Sequence, residues 1–268
     1  MTSILPPLIL QNILLQIPLV DDWPDLKTLL QQATQDLTQI PYWQYPCTVS
    51  EAIGGSYQKA APAAASILVG FLSIHLMDDL LDEVYHRLGS GTVANLAAAL
   101  QGISTQLVND GSLFLENRLL AMEKMQTMTL ETAYGQHLDM QPIVDEADYW
   151  RVARAKTAPL FKATLFLGAI FGGADGASAI ALEPIGALVG ELIQISDDLN
   201  DAMAQPAQPD WQRQRNNLPI RYAITATIQD FYYALQKPKT TFFQQLKQLR
   251  TLSTIDPDRP MPTWNPWT

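Results

Sequence analysis

The sequence has little that would support a disulfide-stapled, zinc-cluster or secreted protein. Among its 268 residues there is one cysteine, Cys47, which cannot form an internal disulfide and is too few for a zinc cluster. The first twenty residues are apolar but contain no lysine or arginine and are interrupted by prolines, which is a poor match to a signal peptide. We therefore expect a cytoplasmic protein in which Cys47 is a small buried residue.

Positive charge is also scarce. The chain has 17 lysines and arginines against 27 aspartates and glutamates, which gives a formal net charge of −10. An acidic chain repels phosphate backbones, so we expect no nucleic-acid partner. The same excess of carboxylates suits a protein that binds divalent cations.

No apolar run is long and clean enough for a stable membrane span. The longest, Ala60–Met77, is interrupted by Pro62, Ser66 and His75 and leads directly into acidic residues. We interpret it as a buried helix.

Alternating strand patterns are absent, and almost every segment has the hydrophobic period of a helix. A chain of 268 residues with 47% hydrophobic residues fits one large domain, residues 1–268, with irregular ends of roughly 20 and 15 residues, and two smaller domains are the alternative. The predicted helices cover Pro24–Leu37, Pro62–His86, Thr92–Asn109, Leu113–Met140, Asp145–Phe171, Pro184–Ala204, Leu218–Gln236 and Thr240–Leu252. The sequence therefore predicts an all-α fold.

Aspartates recur twice with the spacing i, i+1, i+4, each time after an apolar helix. The two sets are Asp78, Asp79 and Asp82, and Asp197, Asp198 and Asp201. Within each set the first and last carboxylates share a helix face and repel each other unless a cation lies between them. Mg²⁺ prefers a few carboxylates together with waters and a substrate phosphate. Two such sets facing each other would hold a diphosphate through several metal ions and stabilise it as it leaves.

Further motifs lie around these clusters. They are Gly135-Gln136-His137-Leu138-Asp139, Lys156-Thr157-Ala158, Gln194 before Ile195-Ser196-Asp197-Asp198, and Asp210-Trp211 with Arg215 and Leu218-Pro219. Their order and spacing resemble the trans-isoprenyl diphosphate synthase (polyprenyl synthase) family over roughly Pro62 to Pro219. The resemblance implies a single helical bundle of the isoprenoid synthase type with a central cavity. It also implies a prenyl diphosphate substrate.

The resemblance assigns a role to each matching position. All six aspartates would bind Mg²⁺, as three ions that arrive with the substrate diphosphate. Lys156, Arg87 and Arg215 would contact that diphosphate, while Thr157 and Gln194 would direct oxygen dipoles at the carbocation. For Gln136 and Asp139 the alternative to a functional role is that they only tie helices together.

The sequence departs from the family where the second substrate, isopentenyl diphosphate, would bind. The family has a histidine seven residues before the first motif, where this chain has Phe71, and a second arginine after it, where this chain has Leu88. Upstream, Ile40–Ser50 contains no lysine or arginine, and Lys59 is the nearest cation to Gly54-Gly55. A diphosphate bound without such groups would lack strong charge-assisted hydrogen bonds.

Three functions follow from this departure. The sequence favours a terpene-synthase-like reaction that ionises one geranyl, farnesyl or geranylgeranyl diphosphate without isopentenyl diphosphate. The alternative is a prenyltransferase that condenses isopentenyl diphosphate with an allylic diphosphate. A third hypothesis is a non-catalytic subunit that regulates an active partner.

The sequence says less about the size of the cavity and the oligomeric state than about the metal-binding motifs. Ser73 and Ile74 lie about one turn before Asp78 and are expected to face the cavity, with Phe71 and Phe161 lining it. The apolar helix that begins at Thr92 could supply a homodimer interface.

Overall fold

The computed structural model describes residues 5–35, 37, 41–82, 88–110, 112–142, 145–203 and 217–219, and its helices confirm the all-α class. Within those ranges no residue forms a strand. The α-helices are α1 (Pro7–Leu15), α2 (Pro18–Asp22), α3 (Pro24–Gln35), α4 (Tyr45–Ala52), α5 (Ala61–Leu81), α6 (Ser90–Val108), α7 (Leu115–Asp139), α8 (Glu146–Lys156), α9 (Ala158–Gly172), α10 (Gly176–Ile180) and α11 (Glu183–Met203). A short 3-10 helix, Pro41–Gln44, precedes α4.

The N-terminal segment differs from the prediction of an irregular end. Two short helices form there because Pro7 and Pro18 stand at first helical positions, where the fixed φ of proline favours a helix start. Leu10 and Leu14 on α1 are fully buried. The spacing of the apolar residues Leu10 and Leu14, four positions apart, therefore indicates a helix in this segment.

The long predicted helix Asp145–Phe171 is divided in two at Thr157. Pro159 stands in the first turn of α9, where its missing N–H costs nothing, but it cannot continue the ladder of α8. α9 ends at Gly172 and is capped by Gly173, whose φ of 101° lies in the left-handed region that glycine adopts without strain.

The chain divides into two compact units, which are described separately. Among the described residues, the first comprises those within 5–141 and 151–192, and the second comprises residues 142, 145–150, 193–203 and 217–219. One boundary follows α7, one falls within α8 and one within α11. The prediction of one domain stays a prediction.

The core of the first unit is built on α5 and α9, which are apolar on nearly all sides. Thirteen residues of α9 and twelve of α5 are buried. α5 packs against α6 and α9, and α9 also packs against α4 and α7. Helices that are buried all round lie in the middle of a bundle. The acidic motif at the C-terminal end of α5 is therefore held by the best-packed part of this unit.

By length and composition, two stretches in the described part of the chain could cross a membrane. They are Ala61–Leu81, which is α5, and Gly176–Met203, which contains α10 and α11. More than half of the first is buried within the protein, as expected of a core helix.

The predicted helices Leu218–Gln236 and Thr240–Leu252 lie outside the described residues, apart from residues 218 and 219. The C-terminal tail lies outside them as well.

Candidate active site

The first aspartate set lies at the C-terminal end of α5. Asp78 and Asp79 are half-buried in its last turn, and Asp82 is the residue that caps it. The backbone N–H of Asp82 donates to the carbonyl of Asp78 at 2.8 Å, which keeps the i, i+4 spacing expected from the sequence. The Nε2 atom of His75, one turn before Asp79, is 4.0 Å from the Asp79 carboxylate.

Three of the predicted motifs meet at the Asp78 carboxylate. The Nζ atom of Lys156 lies 2.9 Å from Asp78 Oδ1 and also 2.9 Å from Asp139 Oδ2. The amide Nε2 of Gln136 donates to the same oxygen of Asp78 at 3.0 Å. Three helices, α5, α7 and α8, therefore contribute one hydrogen-bonded network of two carboxylates and an ammonium group.

The network keeps Asp78 and Lys156 ionised. Burial alone would raise the pKa of Asp78, but the ammonium of Lys156, the Gln136 amide and His75 together lower that pKa below its ordinary value of 3.8. Burial likewise opposes the charge of Lys156, yet Asp78 and Asp139 raise the pKa of this lysine above its ordinary value of 10.5. The lysine is therefore a permanent cation in the acidic cluster.

Gly135 explains how Lys156 comes so close to α7. A Cβ atom at this position would lie 2.3 Å from the carbonyl carbon of Ala155 and 2.4 Å from the backbone nitrogen of Lys156. Only a residue without a side chain permits this approach of α7 to the end of α8. The glycine of the Gly135-Gln136 pair thus places the lysine, and the glutamine binds the aspartate.

The second aspartate set lies near the C-terminal end of α11 and is described within its own unit. Asp198 is buried, with 6% of its surface exposed, whereas Asp197 and Asp201 are half-buried. The Tyr149 hydroxyl donates to Asp198 Oδ2 at 2.6 Å, and Gln194 Nε2 donates to Oδ1 at 2.9 Å. Asn217 donates from its amide to the backbone carbonyl of Asp198 at 2.8 Å.

The contact of Gln194 with Asp198 fixes which way its amide points. A carboxylate can only accept hydrogen bonds, so the nitrogen of the amide must face it and the oxygen must face away. The predicted role of Gln194 needs an amide oxygen held in one direction, and this contact supplies the restraint. Thr157 stands at the junction of α8 and α9, and its backbone N–H donates to the carbonyl of Ala153 at 3.2 Å.

Of the four predicted pocket residues, two are aromatic residues that lie near Tyr42, and one, Ser73, faces a neighbouring helix instead of a cavity. Phe161 is buried and Phe71 half-buried, and both rings lie near Tyr42, with centroid distances of 5.1 Å and 6.1 Å. Ile74 is half-buried. Ser73, which the sequence predicted to face the cavity, instead directs its hydroxyl at α6 and donates to the Ala97 carbonyl at 2.8 Å. A fully buried hydroxyl needs an acceptor, and the neighbouring backbone provides one.

Arg87 and Arg215, predicted to contact the diphosphate, both lie outside the described residues. Within the described ranges, no group of three or more His, Cys, Asp or Glu side chains is close enough together to bind a metal ion.

The chemistry of the donors nevertheless fits Mg²⁺, because hard carboxylate oxygens are the ligands that it prefers. The ammonium of Lys156 already lies between Asp78, one of these aspartates, and Asp139, which shows that the cluster accommodates positive charge. The metal roles stay a prediction.

Tyr149 is a functional candidate that lies in none of the sequence motifs. It is 2% exposed and shares one face of α8 with the buried Val152 and Ala153. A tyrosine on the apolar face of a helix needs a partner for its hydroxyl, and that requirement was the available signal. The identity of the partner, Asp198, follows only from the folded chain.

Comparison with known proteins reveals clear relatives. Residues 47–249 match the family model described as polyprenyl synthetase. The chain is 31% identical over 171 residues to the geranylgeranyl pyrophosphate synthase of Geoglobus acetivorans, which covers 57% of this chain and 52% of that protein. It is 28% identical over 194 residues to the geranylgeranyl diphosphate synthase of Mycobacterium tuberculosis, with coverages of 65% and 55%. The chain spans about half the length of the curated relatives it matches.

Solved structures share the helical fold. The geranylgeranyl pyrophosphate synthetase of Pyrococcus horikoshii matches with a TM-score of 0.67 at 22% identity, over 82% of this chain and 74% of that one. The geranylgeranyl pyrophosphate synthetase of Geoglobus acetivorans matches with a TM-score of 0.67 at 22% identity, over 92% and 81%. At these identities the likeness establishes the fold alone, and it confirms the predicted isoprenoid synthase type.

Proposed function

Because the chain belongs to the polyprenyl synthetase family, we propose that it is a prenyltransferase that condenses isopentenyl diphosphate with an allylic prenyl diphosphate. The bond between the allylic carbon and a diphosphate oxygen breaks, the double bond of isopentenyl diphosphate attacks that carbon, and a proton is lost. The observation that carries the proposal is the meeting of three family motifs at Asp78, through Lys156 and Gln136.

The sequence favoured a reaction without isopentenyl diphosphate, whereas the comparisons favour the condensation reaction that was its alternative. The matched relatives are named as geranylgeranyl diphosphate synthases. The preference for a reaction without isopentenyl diphosphate is therefore not supported, and the condensation reaction takes its place.

Lys156 would bind the leaving diphosphate. Its ammonium is held by two carboxylates at 2.9 Å each, so it is charged and oriented before substrate arrives. A fixed cation next to the leaving group stabilises charge as it develops and needs no reorganisation during the reaction. Asp139 would keep the lysine in place when Asp78 turns to a metal ion.

Aspartates from each of the two motifs would hold Mg²⁺, which would neutralise the diphosphate and make it a better leaving group. The Gln194 amide and the Thr157 hydroxyl would direct oxygen dipoles toward the allylic cation. A neutral oxygen dipole stabilises a cation without forming a bond to it.

The decisive experiment is a product assay with the purified full chain and Mg²⁺. Geranyl, farnesyl and geranylgeranyl diphosphates would each be supplied with and without isopentenyl diphosphate, and both released diphosphate and organic products would be measured. We expect longer prenyl diphosphates that form only when isopentenyl diphosphate is present. Asp78→Ala and Asp197→Ala are the inactive controls, and activity that survives both would contradict the assignment.

One observation favours a second candidate function, the ionisation of a single allylic diphosphate. Phe71 replaces the histidine of the family, and its ring stacks on His75 at a centroid distance of 5.9 Å and lies near Tyr42. The phenyl ring of Phe71 has no N–H or O–H group with which to donate a hydrogen bond to a second diphosphate. A hydrocarbon or alcohol formed without isopentenyl diphosphate would establish this reaction. If the protein instead releases no diphosphate under any condition, the regulatory-subunit hypothesis takes precedence.

A homodimer and a cytoplasmic location remain predictions. Several residues of α6 are exposed, and among them Ala94 and Ala98 are small enough to allow close contact with a second copy. Analytical ultracentrifugation of the purified chain would test the dimer, and a monomer at micromolar concentration would contradict it.

A further inference from the structure

Asp198 differs from the other aspartates of its motif in its surroundings. It is buried, and each of its carboxylate oxygens accepts a hydrogen bond from a neutral side chain, Tyr149 on one side and Gln194 on the other. Asn217 in turn holds the backbone carbonyl of Asp198 and is itself only 2% exposed. The residue is thus restrained at its side chain and at its backbone.

Asp197 and Asp201 are placed differently. They are four residues apart on α11 and therefore share one helix face, whereas Asp198 lies about 100° round the helix from Asp197. Both are half-buried rather than buried. Mg²⁺ needs near-octahedral coordination and keeps several waters, so its ligands must be open on one side. A buried carboxylate with a donor on each oxygen is poorly suited to that task.

Building on the proposed function, we propose that Tyr149 is a positioning residue for the second aspartate motif. Its hydroxyl and the Gln194 amide hold Asp198 as an internal acceptor, which fixes the last turns of α11. Asp197 and Asp201, and not Asp198, then present their carboxylates to Mg²⁺. This narrows the metal set expected from the sequence, in which all three aspartates were ligands.

Tyr149→Phe removes one hydroxyl and keeps the ring. Side chains that orient metal ligands typically contribute about 10–100-fold to metal affinity. We therefore expect the apparent Kd for inorganic diphosphate in the presence of Mg²⁺, measured by isothermal titration calorimetry, to weaken by about tenfold. The Mg²⁺ concentration for half-maximal activity would rise in parallel.

The matched control is Tyr134→Phe on α7, where the tyrosine is 57% exposed. This variant makes the same chemical change outside the site and should bind Mg²⁺ and diphosphate as the parent does. If Tyr149→Phe and Tyr134→Phe bind equally well, the positioning role is overturned.

Asparagine substitutions test which aspartates are ligands. Asp198→Asn keeps an acceptor for Tyr149, and the Gln194 amide can turn to accept from the new amide, so Mg²⁺-dependent diphosphate binding should largely survive. Asp197→Asn and Asp201→Asn should each lose far more of it. Equal losses for all three variants would show that Asp198 is a ligand and would refute the inference.

The parent protein separates failure of this inference from failure of the proposed function. If the parent binds no diphosphate with Mg²⁺ and releases none from substrate, the proposed function is wrong and the inference falls with it. If the parent binds and the variants behave alike, only the inference is wrong.

Discussion

The Nζ atom of Lys156 lies 2.9 Å from the Asp78 carboxylate, so the acidic motif at the end of α5 is joined to a cation from the end of α8. Asp139 accepts from the same ammonium at 2.9 Å. Both carboxylates and the lysine are largely shielded from solvent, with side-chain exposures of 30%, 22% and 19%. Each of the three charges therefore depends on the others.

Lys156→Gln should destabilise the protein as well as inactivate it. Removal of the ammonium leaves two poorly solvated carboxylates without their cation, which costs about 3 kcal/mol of the free energy of unfolding. The matched control is Lys162→Gln, because Lys162 forms an ion pair between α9 and α7 at 2.7 Å with Glu131, which is 42% exposed. A pair with so much exposure contributes below about 1 kcal/mol. Urea denaturation would measure both, and equal losses would contradict the prediction.

Gly135→Ala should separate α7 from α8. The added methyl group would meet the backbone of Ala155 and Lys156 at distances that no Cβ tolerates, so the helices must move. We expect a loss of about 2–3 kcal/mol in the free energy of unfolding and a fall in kcat, since Lys156 moves with its backbone. Gly102→Ala on α6 is the control, because its Cβ would meet nothing within 4 Å. Alanine there should stabilise by up to about 1 kcal/mol.

The ion network should make stability sensitive to acid but not to moderate base. The pKa of Asp78 is lowered from 3.8, so its contribution is complete above that pH and is lost as the pH falls through the lower folded value. The pKa of Lys156 is raised from 10.5, so its contribution persists below 10.5 and is lost only at higher pH. In the absence of Mg²⁺, Asp78→Asn should flatten the decline in the free energy of unfolding below pH 3.8. An unchanged decline would argue against the network.

Cys47 should be inert in the folded protein. Burial and the nearby Glu51 raise the pKa of its thiol to about 12, compared with 9.0 ordinarily. Because the thiolate is the reactive form, an aromatic disulfide reagent at pH 8 should modify the native protein at least roughly 100-fold more slowly than the unfolded protein. The raised pKa also means that stability falls as the pH rises from 9.0 towards 12. Cys47→Ala reports the background, and rapid modification of the native thiol would contradict its burial.

The helical class and the first acidic site were predictable because both depend on local spacing. An apolar run followed by aspartates at i, i+1 and i+4 fixes where Asp78 and Asp82 lie on one helix. The sequence placed Asp78, Lys156 and Gln136 in motifs of one family but could not show that their side chains touch. Residues 58 or more positions apart meet only through tertiary packing.

Three features of the structure did not follow from the sequence, each for a specific physical reason. The division of the helix at Thr157 was signalled by Pro159, but the apolar pattern runs through that point without interruption. Tyr149 carried no motif, and its partner lies 49 residues away. Ser73 was expected to face a cavity from its position relative to Asp78, but helical position alone could not show that α6 offers an acceptor to its hydroxyl.

The two serines of α5 that donate hydrogen bonds to α6 set how the two helices align along each other. Ser66 donates to the carbonyl of Ser104, and Ser73 donates to the carbonyl of Ala97, at 2.7 Å and 2.8 Å. The two donors are seven residues apart on α5, and the two acceptors are seven residues apart on α6, with the chain running the opposite way. Both hydrogen bonds therefore form in the same antiparallel alignment of the two helices. A slip by one turn would break both at once. The depth of the first aspartate motif is thus set from a distance by two hydroxyl groups, and substitutions at Ser73 act on that alignment as well as on any space beside it.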